Sequence, residues 1–170
     1  VQIDRSIRPA FYDDESSVVE IFNQGIEERT NAYLKPLDWI PGADWYKSLR
    51  NNAAVLIVCE VNGALAGWAS LTDYRSGREA LAKIKEITFY VHRDFRNKGV
   101  ASGMIEYLEE ECSTKGYKHL VAILLDSNVA SRALLEKHGY FVWGLFEDIA
   151  EFEDECLGHL YMGKRIIVHR

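Results

Sequence analysis

Cysteine and proline are scarce in this chain, three of each in 170 residues. Cys59, Cys112 and Cys156 are odd in number and far apart, which excludes a disulfide framework and points to reduced thiols in a cytoplasmic protein. No apolar run approaches the roughly 18–20 residues that cross a bilayer. The stretch Val1-Gln2-Ile3-Asp4-Arg5 lacks the apolar centre of a secretion signal. Basic residues are outnumbered 20 to 26 by acidic ones, for a net charge of −6. Neither a membrane nor a nucleic acid is therefore an expected partner. His92, His119, His138, His159 and His169 show no H-x-x-x-H spacing, so no metal is expected. There is no G-x-S-x-G elbow, no G-K-[ST] and no complete G-x-G-x-x-G after a strand. That removes the serine hydrolase, NTPase and Rossmann readings. Repeats and low-complexity segments are absent as well.

What is present is a 48% hydrophobic, aromatic-rich chain of single-domain length. Ile3 to Arg8 reads as a strand ending at Pro9. Asp13 and Asp14 stand where they can cap a helix with an apolar face of Val18, Ile21, Phe22, Gly25 and Ile26. Thr30 to Gly42 is irregular, broken by Pro36 and Pro41, and Asp44 to about Arg50 is a short helix. Ala54–Val61 and Ala64–Leu71 flank Asn62-Gly63, a strong hairpin signal. Tyr74 to Leu81 is a polar loop, and Ile84–Val91 is a strand. A helix from about Gly99 buries Val100, Met104, Ile105, Leu108 and Cys112 and ends near Gly116. Leu120–Leu125 is apolar throughout, as in a strand covered on both faces. Ser127 or Asn128 caps a helix to His138, closed by Gly139. Tyr140–Gly144 and Leu157–Val168 are the last strands, with an acidic loop from Glu147 to Glu155 between them. The order β-α-α-β-β-β-α-β-α-β-β predicts an α/β (α+β) domain over 1–170, a mixed, mostly antiparallel central sheet with helices on both faces.

The densest chemistry lies in Glu86 to Ala101. Strand alternation of Ile87, Phe89 and Val91 with Glu86, Thr88 and Tyr90 leads into a turn carrying Arg96, Asn97 and Lys98. The next helix opens on Gly99, Val100 and Ala101, whose small side chains leave the first-turn N–H groups uncovered. Those groups and the helix dipole favour a phosphate. Arg96 and Lys98 add charge and Ser102 a hydroxyl, although solvated basic residues at an ordinary helix start have the same composition.

Arg96-Asn-Lys-Gly99-Val-Ala101 fits the pattern (Gln/Arg)-x-x-Gly-x-(Gly/Ala). Glu86–Val91 fits the strand beside it. Asn128-Val-Ala-Ser131 and Leu135-Glu-Lys-His-Gly-Tyr140 fit a later Asn-x-x-Ser helix with its Gly-(Phe/Tyr) end. Ile7-Arg8-Pro-Ala10 and Asp73-Tyr74-Arg75 complete the set. In this order and spacing, over about Ile3 to Met162, the chain resembles the GNAT superfamily of N-acetyltransferases, and within it the phosphinothricin and methionine-sulfone N-acetyltransferase branch. The resemblance implies acetyl-CoA as donor, direct attack by an amine, a small amine acceptor and a homodimer. It places the diphosphate on Arg96–Ser102. It also lays the pantetheine arm along Phe89, Tyr90 and Val91, with Asn128 and Ser131 beside it. Asn128 is equally suited to capping its helix.

Glu86 matches the family's general base, because a carboxylate can take the proton that keeps an ammonium from attacking. A strand glutamate paired with Lys83 or Lys85 is the alternative. The resemblance also gives the oxyanion to a backbone N–H near Phe89; a regular ladder would already use that donor, so the resemblance implies a locally irregular strand or bulge there, for which the sequence itself shows no glycine. Arg75 and Arg78 stand where the family holds the acceptor's carboxylate. Tyr33, Trp39 and Trp68 belong either to the acceptor pocket or to the core, and the acidic loop either draws a cationic amine or is solvated. Two positions depart from the branch. Leu135 stands where a Tyr or His protonates the leaving thiolate, leaving Tyr90, Tyr140, Tyr161 or water. Cys156-Leu-Gly158 stands in place of Trp-x-Asp. Leu135 keeps open a rival reading, a non-catalytic acyl-CoA-binding module. Polyamine, aminoglycoside and peptide N-terminus acceptors also remain open.

Overall fold

The computed structural model describes residues 4–37 and 44–167. The start of the first predicted strand at Ile3, the breaker Pro41, the pocket candidate Trp39, Val168 and His169 lie outside the described residues. Seven strands form one sheet: β1 (Arg5–Pro9), β2 (Ala53–Val61), β3 (Ala64–Asp73), β4 (Ile84–Val91), β5 (His119–Leu125), β6 (Phe141–Glu151) and β7 (Cys156–Arg165). Their spatial order is β1-β2-β3-β4-β5-β7-β6. Among the described residues four α-helices accompany them: α1 (Glu15–Glu27), α2 (Asp44–Asn52), α3 (Val100–Thr114) and α4 (Val129–Lys137). The sheet is mixed and mostly antiparallel, as the element order implied. Among the described residues no helix is long and apolar enough to cross a membrane.

Two cores flank the sheet. On one face α3 and α4 bury Met104, Leu108, Cys112 and Leu135 against Cys59, Leu71, Ile87 and Leu120. On the other, Val18, Ile21 and Phe22 of α1 and Tyr46 of α2 pack on Val58 and Trp68. Each fully buried side chain of this size contributes about 1.5–3 kcal/mol. Trp68, a candidate for pocket or core, is core, stacked on Tyr90 at 5.1 Å. The β2–β3 turn takes positive φ at Asn62 (50°) and Gly63 (78°), the backbone that this dipeptide favours.

Two local expectations are corrected. Asp14 stands at the N-cap of α1 without capping it by its side chain. Its carboxylate instead accepts both Nη atoms of Arg8 (2.8 and 2.9 Å) and the Phe11 N–H (2.7 Å). A guanidinium one strand away offers two charge-assisted bonds, more than one helix N–H can give. The acidic loop is mostly strand: β6 runs on to Glu151, with a bulge between Phe146 and Ala150 and Asp148 at φ 54°. An edge strand leaves its carboxylates in solvent, so charge there does not end pairing. Asp154 and Glu155, in the short turn that remains, pair with Arg29.

Candidate active site

The site begins with a failure of pairing. β4 and β5 run parallel and match only over Ile84–Glu86 and His119–Val121. Past Glu86 and Val121 they separate. A cleft of about 800 Å3 opens between Glu86–Val91 on one side and Ala122–Leu124 with α4 on the other, closed at one end by Gly99–Ser102. On its far edge β4 is in unbroken register with β3 from Lys85 to Val91. The bulge expected near Phe89 is therefore absent. None is needed, because alternate N–H groups of a strand point to opposite neighbours. Those facing β5 past Glu86 have no strand to pair with. The splay frees the donors that a bulge would have freed.

Within this cleft lie Glu86, Phe89, Tyr90, Val91, Arg96, Asn97, Gly99, Val100, Ala101, Ser102, Asn128 and Ser131. Glu86 faces the side opposite to Lys85, which is buried and paired with Asp73. Among the described residues no cation pairs with Glu86, and burial raises its pKa above the ordinary carboxylate range. The pairing with Lys83 or Lys85 is not made. Gly99 holds φ 74° at the N-cap of α3, a conformation that costs other residues about 1–2 kcal/mol. It lets the chain turn from Arg96 into a helix whose first three N–H groups have no intrahelical acceptor. Asn128 does cap α4, its Oδ1 accepting the Ser131 N–H at 3.2 Å, which leaves its amide N–H2 directed elsewhere.

Four named residues lie outside the cleft's lining. Lys98 turns away, its Nζ on the Asp94 carbonyl (2.8 Å) and over the Phe95 ring. Tyr33 is exposed and meets Phe22 edge-on at 5.0 Å. Arg78 is turned to the Ser76 carbonyl at 3.3 Å. Burial, with smaller contributions from Tyr74 and Glu86, raises the Tyr161 hydroxyl pKa, and the charge of Arg75 offsets this only in part. Arg96 lines the cleft but is held by Glu28 of the segment after α1, at 2.7 Å.

The site also holds residues that sequence reasoning passed over. Arg5 of the edge strand β1 donates to the Gly99 carbonyl at 2.7 Å. Ile21, Gly25 and Thr30 bring the α1 side to the cleft, and Ala130, Ala133, Leu134 and Lys137 form the α4 wall. The α4 wall was legible in principle from its i, i+3, i+4 spacing; Arg5, 94 residues from Gly99, carried no local signal. Leu135, 1% exposed, belongs to the core and to the cleft's inner lining at once. Tyr140 is buried outside the cleft's lining, where burial and Glu109 push its hydroxyl pKa upward. At Gly158 the backbone N–H donates to Asp126 Oδ1 at 3.0 Å, and a Cβ there would sit 2.6 Å from Asp126 Oδ2. The glycine that departs from the branch pattern is thus the seat of another acid, from the end of β5.

Comparison with known proteins agrees with this geometry. The family model described as "Acetyltransferase (GNAT) family" matches residues 18–140. The phosphinothricin N-acetyltransferase of Streptomyces viridochromogenes is 31% identical over 142 residues, 81% of this chain and 75% of that one. An L-methionine sulfoximine/L-methionine sulfone acetyltransferase of Pseudomonas aeruginosa is 26% identical over 148 residues, 86% of each. The structure of yncA from Salmonella typhimurium, solved with its cofactor acetyl-CoA, superposes with a TM-score of 0.87 at 24% identity, covering 98% of this chain and 96% of that one. The chain belongs to the GNAT family of acetyltransferases, in the branch of the phosphinothricin and methionine sulfoximine/sulfone N-acetyltransferases.

Proposed function

We propose that this acetyltransferase moves the acetyl group of acetyl-CoA to the primary amine of an amino acid or analogue, such as phosphinothricin or methionine sulfoximine or sulfone. The observation that carries it is a carboxylate, Glu86, half-buried and unpaired with any cation among the described residues, at the point where β4 and β5 part. The donor fits the cleft: a left-handed Gly99 and three open N–H groups at one end for the diphosphate, and an unpaired strand edge along Phe89–Val91 for the peptide-like arm. When bound, it supplies an activated thioester carbonyl.

Glu86, directly or through one water, takes a proton from the acceptor's ammonium, and its raised pKa brings it nearer to neutral pH as a base. The nitrogen lone pair then forms the N–C bond. A free β4 N–H on the cleft side stabilises the oxyanion. The C–S bond breaks and the sulfur keeps its electron pair. No side chain is assigned to protonate it. Leu135 has no proton to give, Tyr140 is walled off, and the Tyr90 ring is stacked on Trp68 with its pKa pushed up to about 12. The nitrogen gives up its second proton to water, and the thiolate, whose acid titrates at about 8.5, takes one from water, so that the products are the amide and the free thiol. Arg75, whose charge reaches Tyr161, rather than Arg78, which is turned to the Ser76 carbonyl, receives the acceptor's carboxylate.

A homodimer is supported by β6, whose Phe141, Trp143, Phe146 and Ile149 are each at least 50% exposed on the sheet's last strand. A second copy covering that strand would bury them. Thiol release from acetyl-CoA, followed with a panel of amino acids, sulfoximines and polyamines, tests the reading. Turnover confined to compounds carrying an α-carboxylate supports it. Tight CoA binding with no release for any amine overturns it in favour of an acyl-CoA-binding module.

A further inference from the structure

Ser102 is the third residue of α3 and lines the cleft. A serine there commonly turns its hydroxyl back to the carbonyl three residues earlier. Here that carbonyl, of Gly99, already accepts Arg5 Nη1 at 2.7 Å and the Gly103 N–H at 3.0 Å. Both of its lone pairs are taken. From the other side of the cleft, His138 at the C-cap of α4 brings Nε2 to 3.0 Å from Ser102 Oγ. With the ring proton on Nε2, the imidazole donates to Oγ. The hydroxyl then has neither a backbone acceptor behind it nor an acceptor in the histidine. Its own proton is free for the cleft, beside the open N–H groups of Val100 and Ala101.

We infer that His138 is a positioning residue, which turns the Ser102 hydroxyl into a donor for the diphosphate of the CoA moiety. The neighbouring charges leave it this role. Glu136 is paired with Arg132 at 2.9 Å, Lys164 with Glu109 at 2.7 Å, and Lys137 lines the cleft. The inference rests on the reading of the Gly99–Ser102 end as the diphosphate site. It goes beyond that reading in assigning a role to a histidine that is not among the cleft's lining residues.

The test is calorimetric titration of CoA into the wild type and the variants H138L, H138Q, S102A and H138L/S102A. It is paired with turnover of S-acetylpantetheine, a donor without the diphosphate. His138→Leu and Ser102→Ala should each weaken CoA binding by about 3- to 10-fold. The double variant should be no weaker than Ser102→Ala alone. His138→Gln, whose side-chain amide can also donate, should keep most of the affinity. Turnover of acetylpantetheine should be the same in His138→Leu as in the wild type. CoA affinity unchanged in His138→Leu, losses that add in the double variant, or an equal loss with acetylpantetheine each overturn the inference. If His138→Leu does not fold, Ser102→Ala and His138→Gln decide: CoA affinity unchanged in Ser102→Ala overturns the role, as does affinity lost in a folded His138→Gln. A wild type that does not bind CoA overturns the reading of the cleft and this inference with it. A wild type that binds CoA beside an indifferent His138→Leu overturns the inference alone.

Discussion

Glu86 combines partial burial with charge, and its proposed role as base and its cost to folding have one origin. Burial raises its pKa, so the folded chain holds that proton more tightly than the unfolded chain does. The stability tied to the protonated form is present below about pH 4.3, the unfolded value, and is lost as pH rises through the higher folded value. Glu86→Gln should therefore lower kcat by roughly 10²–10⁴ and yet raise the melting temperature at neutral pH. The gap in melting temperature should close as the pH is brought to 4. A gap of the same size at pH 4 and pH 8 would show that Glu86 is not desolvated. Asp14 has the opposite sign. Burial alone would raise its pKa, but the hydrogen bonds from Arg8 and the Phe11 N–H outweigh that and lower it. Its stabilisation is present above about pH 3.9 and is lost as pH falls through the folded value. Arg8→Ala strands this carboxylate, 10% exposed, and should cost about 1–3 kcal/mol at pH 7. Urea denaturation should show the loss shrinking in acid. Leu135 reads differently at this scale: a departure from a family pattern proves to be a core leucine, 1% exposed.

Among the elements, the turn from β4 into α3 depends on one backbone conformation. Gly99→Ala forces a side chain to φ 74° and sets its Cβ 3.2 Å from Arg5 Nη1. The strain is about 1–2 kcal/mol, and it falls on the end of the cleft proposed for the donor's diphosphate. KM for acetyl-CoA should rise several-fold with kcat little changed; a fall in kcat alone would place the effect elsewhere. At the other end of the sheet, the Trp143 indole of β6 lies over Gly163 of β7, in the space that a Cβ would occupy. Gly163→Ala should expel the ring, seen as a red shift in tryptophan emission. The hairpin β2–β3, the Gly99 turn and the α4 cap were all legible in the sequence, because each is fixed by residues within four positions of one another. The length of β6 was not. Its charges resemble a loop, and only pairing with β7 makes them an edge strand.

The molecule as a whole is organised around two strands that stop pairing. The sheet holds β4 on its β3 side through Lys85–Val91, α3 and α4 fill one face, and α1 and α2 fill the other. The cleft is what remains between β4 and β5. The exposed apolar side chains of β6 belong to this scale too. Phe146→Glu should turn a dimeric species into a monomer in sedimentation velocity, because a buried carboxylate facing its own copy is not compensated. A wild type that is monomeric at micromolar concentration would remove the dimer.

The sequence by itself determined the order of elements, the small-residue start of α3, the candidate base and the family, since these rest on local backbone preference and on motif spacing. The tertiary structure decided what no local pattern carries. It paired Arg8 with Asp14 instead of leaving a helix cap, and it brought Arg5 to Gly99 and His138 to Ser102. It also drew β4 and β5 apart after three residue pairs. Those outcomes depend on which groups meet across the fold, where a buried polar group must find a partner whatever its distance along the chain.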